Sequence, residues 1–221
     1  MPSGVIFDVD GTLVDSNDAH ASAWLDAMKE FGFSEVRYDT VRKMIGMGGD
    51  KILPDLTGLA EDDERGMQLL DRRKHIFLQQ YLPSLKAFPM ARALVERIKR
   101  EGMIALVASS ANKKELLPLL RVAQVDELMD STTSSDDADE SKPDPDIVLA
   151  AVAKSGLLAA QLVMIGDTPY DVEASRDAGV PIIALRCGGW DDRELAGAIA
   201  VYDDPEDLLN KFERSHLARP K

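Results

Sequence analysis

Phe7-Asp8-Val9-Asp10-Gly11-Thr12-Leu13-Val14-Asp15-Ser16, FDVDGTLVDS, is the stretch from which the rest of the chain can be read. Val5, Ile6 and Phe7 run straight into Asp8, Val9 and Asp10, and the pair Gly11-Thr12 follows. That order describes a short buried strand ending in two carboxylates and a turn. Side chains alternate along a strand, so Asp8 and Asp10 share a face. Two carboxylates a few ångströms apart repel by roughly 4 kcal/mol at an effective dielectric near 20. A folded chain keeps such a pair together with a cation or a shared proton. Asp10-Gly11 alone would pass as a polar turn, but a turn has no need of Asp8 inside the apolar run.

Outward from this strand, the next 65 or so residues read as helix only, on the order expected of an inserted helical block. Ser16 caps a helix to about Phe31, with Ala19, Ala23, Ala27 and Phe31 on one face and Gly32 as its stop. Asp39 starts a short helix to Ile45; the turn Gly46-Met47-Gly48-Gly49 leads to a helical piece from Asp50 to Leu56. A long helix from Glu61 to Tyr81 ends at Leu82-Pro83. From Pro89 the pattern alternates. Helices are expected over Pro89–Arg100, Asn112–Arg121, Asp146–Ser155 and Pro169–Ala178, with strands at Met103–Ala108, Leu162–Ile165, Pro181–Leu185 and Ile199–Tyr202. A weaker strand near Leu128-Met129 leads into an acidic stretch, Ser131–Ser141, that reads as a solvated loop, and Asp204-Pro205 caps a last helix. Alternation of this kind predicts an α/β fold: a Rossmann-like parallel sheet with helices on both faces. The expected division is a core of residues 1–15 and 84–221 and an all-helical cap of 16–83.

Composition narrows the partners. The chain has 221 residues, 45% of them hydrophobic, and a net charge of -13 from 26 basic and 39 acidic residues. That balance disfavours nucleic acid and anionic membranes as partners. No apolar run reaches the ~18 residues that span a bilayer, and Met-Pro-Ser-Gly-Val lacks the basic flank and apolar core of a secretory signal, so a cytoplasmic address is expected. One cysteine, Cys187, cannot form an intrachain disulfide or a cysteine-rich zinc site and reads as an ordinary core or loop thiol.

The expected strands end in polar residues. The first delivers Asp8, the second Ser109-Ser110, and the fourth Gly166-Asp167. In open parallel sheets ligands bind at the carboxyl ends of the strands, so these residues converge on one edge. Asp8, Asp10 and Asp167 offer oxygen ligands suited to a hard cation such as Mg2+. Asp171 lies one helical turn after Asp167 and reads equally as a further ligand or as the end of a capping box begun by Thr168. Lys142, in SKPDPD, is either a solvated loop cation or the charge that balances the carboxylates. Ser109 and the Ser110 N–H stand at a helix start, where phosphate oxygens are readily held.

Four stretches in this order, DVDGTLVDS, VASS, SKPDPD and GDTPYD, resemble the four motifs of the haloacid dehalogenase superfamily. The helical block resembles that superfamily's first type of cap, and Asp at position 10 resembles its phosphatases and phosphomutases. The resemblance implies that Asp8 is the nucleophile of an aspartyl-phosphate mechanism and Asp10 the general acid and base. It implies Mg2+ held by Asp8, the Asp10 carbonyl and Asp167, with Ser109 and Lys142 assisting, and a small phosphorylated metabolite as substrate. Gly11, Ser110 and Asn112 are expected at the phosphate. Lys51, in the cap turn, is expected at a further anionic group, and His20 near the entrance, although His20 and Trp24 at i, i+4 also suit plain packing. The cluster Arg72-Arg73-Lys74-His75 reads as a solvated helix face.

The nearest rival is a hexose-phosphate mutase of the beta-phosphoglucomutase type. Gly49 in place of the arginine expected in that cap turn, and GDTPYD in place of a Glu-Asp pair, favour hydrolysis. A receiver-like phosphoacceptor module also combines aspartates, Ser/Thr, Lys and Mg2+, but it has no use for a helical block over its site.

Overall fold

The structure, a computed structural model, describes residues 2–218; the outermost positions of the expected core, Met1 and 219–221, lie outside the described residues. Six strands form one parallel sheet in the order β3-β2-β1-β4-β5-β6. They are β1 (Gly4–Phe7), β2 (Ile104–Ala108), β3 (Ser131–Thr133), β4 (Leu162–Gly166), β5 (Ile182–Leu185) and β6 (Ala200–Tyr202). The central strands are almost wholly buried, which is why they read as unbroken apolar runs rather than alternating ones. The chain fills one side of β1 with β2 and β3, then crosses to place β4 on the other side. That reversal of strand order falls beside β1 and opens a crevice at the strand ends.

Register places that crevice. Phe7 is level with Val107 on one side and Ile165 on the other, so Asp8, Ser109 and Asp167 leave the sheet at the same edge. Val5 and Phe7 face a cluster that includes Leu94, Leu116 and Phe212, supplied by α5 (Ala91–Arg100), α6 (Lys113–Val122) and the segment after α9 (Pro205–Asn210). Ile6 faces the opposite cluster, with Ile147 of α7 (Asp146–Ser155) and Val172 of α8 (Pro169–Asp177). Helices therefore cover both faces.

Between β1 and α5 lie α1 (Asn17–Glu30), α2 (Tyr38–Met44), α3 (Gly49–Thr57) and α4 (Glu64–Ile76). The apolar cluster of the first sheet face continues into them through Trp24, Met28, Leu53 and Leu69. The two connecting segments run side by side: Asp15 N–H donates to the Lys86 carbonyl at 3.0 Å and Phe88 N–H to that of Leu13 at 3.0 Å. Among the described residues no helix is long and apolar enough to cross a membrane.

Three local expectations are corrected. The weak strand at Leu128-Met129 is displaced: the strand is Ser131–Thr133, inside the stretch read as a loop, because Leu106 to Ala108 supplies the ladder that these hydroxyl residues pair with. The long helix Glu61–Tyr81 starts three residues later, at Glu64, and widens into a π turn over Phe77–Tyr81, where Phe77 stacks on His20 at 3.9 Å between ring centres. Ser16 does not cap α1 with its side chain; its hydroxyl donates to Asp10 Oδ1 instead.

Candidate active site

Asp8 follows β1 directly, and its N–H is tied to the Ile165 carbonyl at 2.9 Å. Its carboxylate accepts a hydrogen bond from Lys142 Nζ at 2.7 Å. The same ammonium group donates to the Ala108 carbonyl at 2.7 Å and lies 2.7 Å from Asp171 Oδ1. Lys142 is completely buried. A buried lysine usually loses proton affinity, but the two carboxylates outweigh burial here and push the group above its ordinary value. Asp8 is pushed well up by burial, and Asp171, Asp167 and Asp10 act in the same direction against Lys142.

Asp167 stands across the crevice at the end of β4. Thr12 Oγ donates to its Oδ1 at 2.9 Å and Asn17 Nδ2 to its Oδ2 at 3.0 Å. Burial and the neighbouring Asp171 raise its carboxyl to about 8, with Thr12 and Asn17 pulling the other way. Gly11 adopts a φ of +75°, and a Cβ there would come within 2.2 Å of Asp167 Oδ2, so this turn admits only glycine. Carboxylate oxygens of Asp8, Asp167 and Asp171 all lie within 4.8 Å of one another, all three residues buried. One lysine cannot balance three ionised carboxylates, which is why Asp8 and Asp167 are pushed up, and an all-oxygen donor set of this kind fits a hard divalent cation that would take the place of their protons.

Within that set the residues differ. Asp171 Oδ2 accepts from the Asp167 and Thr168 N–H groups at 3.2 and 3.0 Å and from Thr168 Oγ at 2.8 Å, while Oδ1 faces Lys142. It both closes the capping box of α8 and holds Lys142. The Asp10 side chain stands apart from these three, which leaves its backbone carbonyl as the oxygen expected at the metal. Its Oδ1 is turned to Ser16 and to His20 Nε2, at 2.7 Å, leaving Asp10 outside the three-carboxylate group. Burial would raise the Asp10 carboxyl, but His20, Ser16 and Arg73 together hold it below its ordinary value.

The roof of the crevice supplies residues that the sequence reading placed elsewhere. Arg73 was expected on a solvated face; its side chain is only 12% exposed, and its guanidinium donates to Glu115 of α6 and to His20 Nδ1. Arginine has no acceptor, so the His20 ring proton sits on Nε2 and donates to Asp10. The guanidinium also lies 5.4 Å from the ring centres of Trp24 and Phe77. The signal was present: Leu69, Arg73 and Ile76 fall on one stripe of α4, and a cation on an apolar stripe needs an internal partner. Glu115 was missed for the same reason, being buried beside Leu116 and Leu119 on α6.

The remaining expected residues divide. Ser109 is buried, and its oxygen accepts the Ala111 N–H at 3.1 Å, which leaves the hydroxyl proton available. Ser110 donates its hydroxyl to the Gly46 carbonyl of the cap turn at 3.0 Å. Asn112 caps α6, accepting from the Lys114 and Glu115 N–H groups, and donates to Glu115 Oε2 at 3.0 Å. Gly11 N–H is bonded to the Val14 carbonyl at 2.8 Å. Lys51 is held in ion pairs with Glu140 and, at 2.9 Å, Asp144, so it ties cap to core rather than standing free. Asp8, Asp10, His20, Ser109, Ser110 and Asn112 all line one cavity of about 630 Å3 between the strand ends and the helical block.

Comparison with known proteins gives the family. The sequence profile of the haloacid dehalogenase-like hydrolases matches residues 5–185. A phosphoglycolate phosphatase of Rhodospirillum rubrum is 30% identical over 214 residues, covering 92% of this chain and 88% of that protein. A phosphoglycolate phosphatase of Nitrosospira multiformis is 29% identical, covering 86% of each chain. Among solved structures, a hydrolase from Pseudomonas syringae superimposes with a TM-score of 0.89 at 30% identity, covering 96% of this chain and 98% of that one.

Proposed function

The chain belongs to the haloacid dehalogenase-like hydrolase family, and on that premise we propose that it is a Mg2+-dependent phosphatase of small phosphomonoesters, with Asp8 as its nucleophile. The observation that carries this reading is the buried lysine, Lys142, held between Asp8 and Asp171 with Asp167 beside them. An Asp8 carboxylate oxygen attacks phosphorus in line, forming an acyl-phosphate bond as the ester P–O bond breaks. Lys142 fixes the attacking carboxylate in position and neutralises charge as the phosphoryl group transfers.

Asp10 donates its proton to the leaving oxygen and then takes one from the water that cleaves the aspartyl phosphate. It is ionised when no anion is near; the arriving phosphate dianion raises its proton affinity and makes it the acid. His20 and Ser16 keep its Oδ1 oriented. Ser109 and the Ser110 N–H bind the phosphoryl oxygens at the start of α6. Asp8, Asp167 and the Asp10 carbonyl would hold the metal, with Asp171 positioning Lys142, and the bound cation supplies further charge neutralisation. Residues 16–83 act as the cap, excluding water until the first transfer is complete, over a core of 1–15 and 84–221. Lys51 and Asn112 organise the cap seam and α6, while Gly11 shapes the turn. A phosphorylated metabolite and a single cysteine suit a cytoplasmic enzyme.

The test is covalent trapping. Acid quench during turnover of p-nitrophenyl phosphate, followed by borohydride reduction, converts an aspartyl phosphate to homoserine. Homoserine at position 8, dependent on substrate and Mg2+, is the expected result. Phosphate release that continues without it would sink the mechanism, and a requirement for a sugar bisphosphate would indicate a mutase.

A further inference from the structure

The cavity above the strand ends is lined by an unbalanced set of charges. Two lining side chains are permanent cations, Arg73 and Lys74. Each already faces a carboxylate: Arg73 is bonded to Glu115, and Lys74 Nζ lies 2.7 Å from Asp71 Oδ1. The cations just behind the lining are engaged as well. Lys51 pairs with Glu140 and Asp144, Lys113 faces Asp137 at 3.6 Å, and Lys114 acts on Asp71. Against them, Glu61, Asp136 and Asp139 line the cavity and have no cationic partner among the described residues. Asp136 takes the Lys113 N–H at 3.0 Å, a neutral donor at the start of α6 rather than an ammonium or guanidinium group.

From this arrangement we infer that the enzyme's preferred ester carries no second negative charge, its alcohol portion being a neutral polyol or bearing an amine, with Glu61, Asp136 and Asp139 as the selecting residues. The inference rests on the phosphatase reading above and narrows its substrate class. A second anion on the leaving group has two places to go. Beside Arg73 it meets Glu115, a carboxylate only 2% exposed that already holds the guanidinium, and the two anions repel with little screening by water. Nearer the mouth it meets three carboxylates without counter-ions. Hydroxyl and ammonium groups find acceptors in the same positions, and the cavity of about 630 Å3 has room for a sugar-sized group beyond the phosphate. The phosphoryl group escapes this repulsion because Lys142 and Ser109 receive it on the floor. Phosphoglycolate, the ester named for the relatives above, ends in a carboxylate, so the inference separates this chain from them.

Three esters of one size make the test: phosphoglycolate, 2-hydroxyethyl phosphate and 2-aminoethyl phosphate, whose end groups carry charges of about -1, 0 and +1 at neutral pH. With Mg2+, kcat/KM for the hydroxyethyl and aminoethyl esters should exceed that for phosphoglycolate by about tenfold or more, equivalent to ~1.4 kcal/mol. In the triple variant E61Q/D136N/D139N the gap should narrow severalfold, chiefly because kcat/KM for phosphoglycolate rises. Should that variant fail to fold, raised salt on the wild type substitutes for it, because these carboxylates are exposed and screened. Phosphoglycolate turned over as well as the neutral ester overturns the inference. A gap that neither the variant nor salt moves overturns the assignment to these carboxylates. If p-nitrophenyl phosphate and all three esters remain intact, the phosphatase reading falls and this inference falls with it.

Discussion

The floor and the roof of the cavity are held in place by different means. On the floor, Asp8, Ser109 and Asp167 emerge from adjacent strands whose register sets their spacing, and Lys142 bonds to Asp8 and the Ala108 carbonyl with every neighbour buried. The roof is attached by separate side-chain contacts besides its apolar seam: Ser141 to Gly48 and Asp50, Arg73 to Glu115, Arg42 to the Gly188 carbonyl, Tyr170 to the Lys43 carbonyl. A sheet places its strand ends collectively, so one changed side chain on the floor is lost chemistry. A roof attached by many single contacts tolerates the loss of one. Changes to the floor should therefore abolish activity, and changes to the roof should adjust it.

The largest expected effect is at Asp8. Asp8→Asn removes the proposed nucleophile and should lower phosphate release by more than about a thousandfold. The fold should survive, since one charge leaves a crowded carboxylate group and Lys142 keeps Asp171. Phosphate release and a thermal melt check both halves, and activity above about a tenth of wild type would break the distinction between floor and roof. Lys142→Met comes next. It leaves Asp8 and Asp171 buried without their cation, which should destabilise the protein by about 3–5 kcal/mol in a chemical denaturation curve. Activity should be lost alongside.

Chelation with EDTA tests the floor without mutation. Asp167 is raised to about 8 in the fold, against roughly 3.9 unfolded. Between those values the folded state holds a proton that the unfolded state has released. This contribution to stability is full below the unfolded value and is lost as pH rises through the folded one. In EDTA, Tm should therefore fall as pH is raised from about 5 to about 8, and Mg2+ should raise Tm more at the higher pH. Asp10 acts in the opposite sense: its lowered value gives stability above the ordinary carboxylate range that disappears in stronger acid. A Tm in EDTA that rises steadily over this pH window would contradict the crowded-carboxylate account.

The same contrast explains what could be read from the chain before folding. The floor was legible because strand ends are local signals: an apolar run of four or five residues, then a polar one, repeated at Asp8, Ser109 and Asp167. The alternation after Pro89 likewise declared a parallel sheet, and only the edge strand Ser131–Thr133 was misplaced, its strand character coming from the neighbour rather than from its own composition. The roof was less legible because its contacts join residues far apart in sequence. Nothing adjacent to Arg73 announces Glu115, 42 positions on. Lys51 suggested a free cation until Glu140 and Asp144 came beside it, and nothing near Asp10 in the sequence showed that both His20 and Ser16 would hold its Oδ1.

The smallest expected effect gives the sharpest comparison, because Ser141 and Lys142 are consecutive residues that serve different parts. Ser141 is buried; its oxygen accepts the Gly48 N–H at 2.9 Å and its hydroxyl meets Asp50 of the cap. Ser141→Ala leaves that N–H and one carboxylate oxygen less satisfied, at a cost of about 1–2 kcal/mol to cap attachment. The floor next to it keeps its bonds, since Lys142 is held through its own ammonium group. With the cap open more often, binding should weaken while each bound substrate reacts as before: KM should rise by about threefold to tenfold with kcat within about twofold. Steady-state kinetics on one ester, with both variants side by side, reads the difference. If Ser141→Ala abolished kcat as Lys142→Met does, cap attachment and nucleophile placement would be one device rather than two.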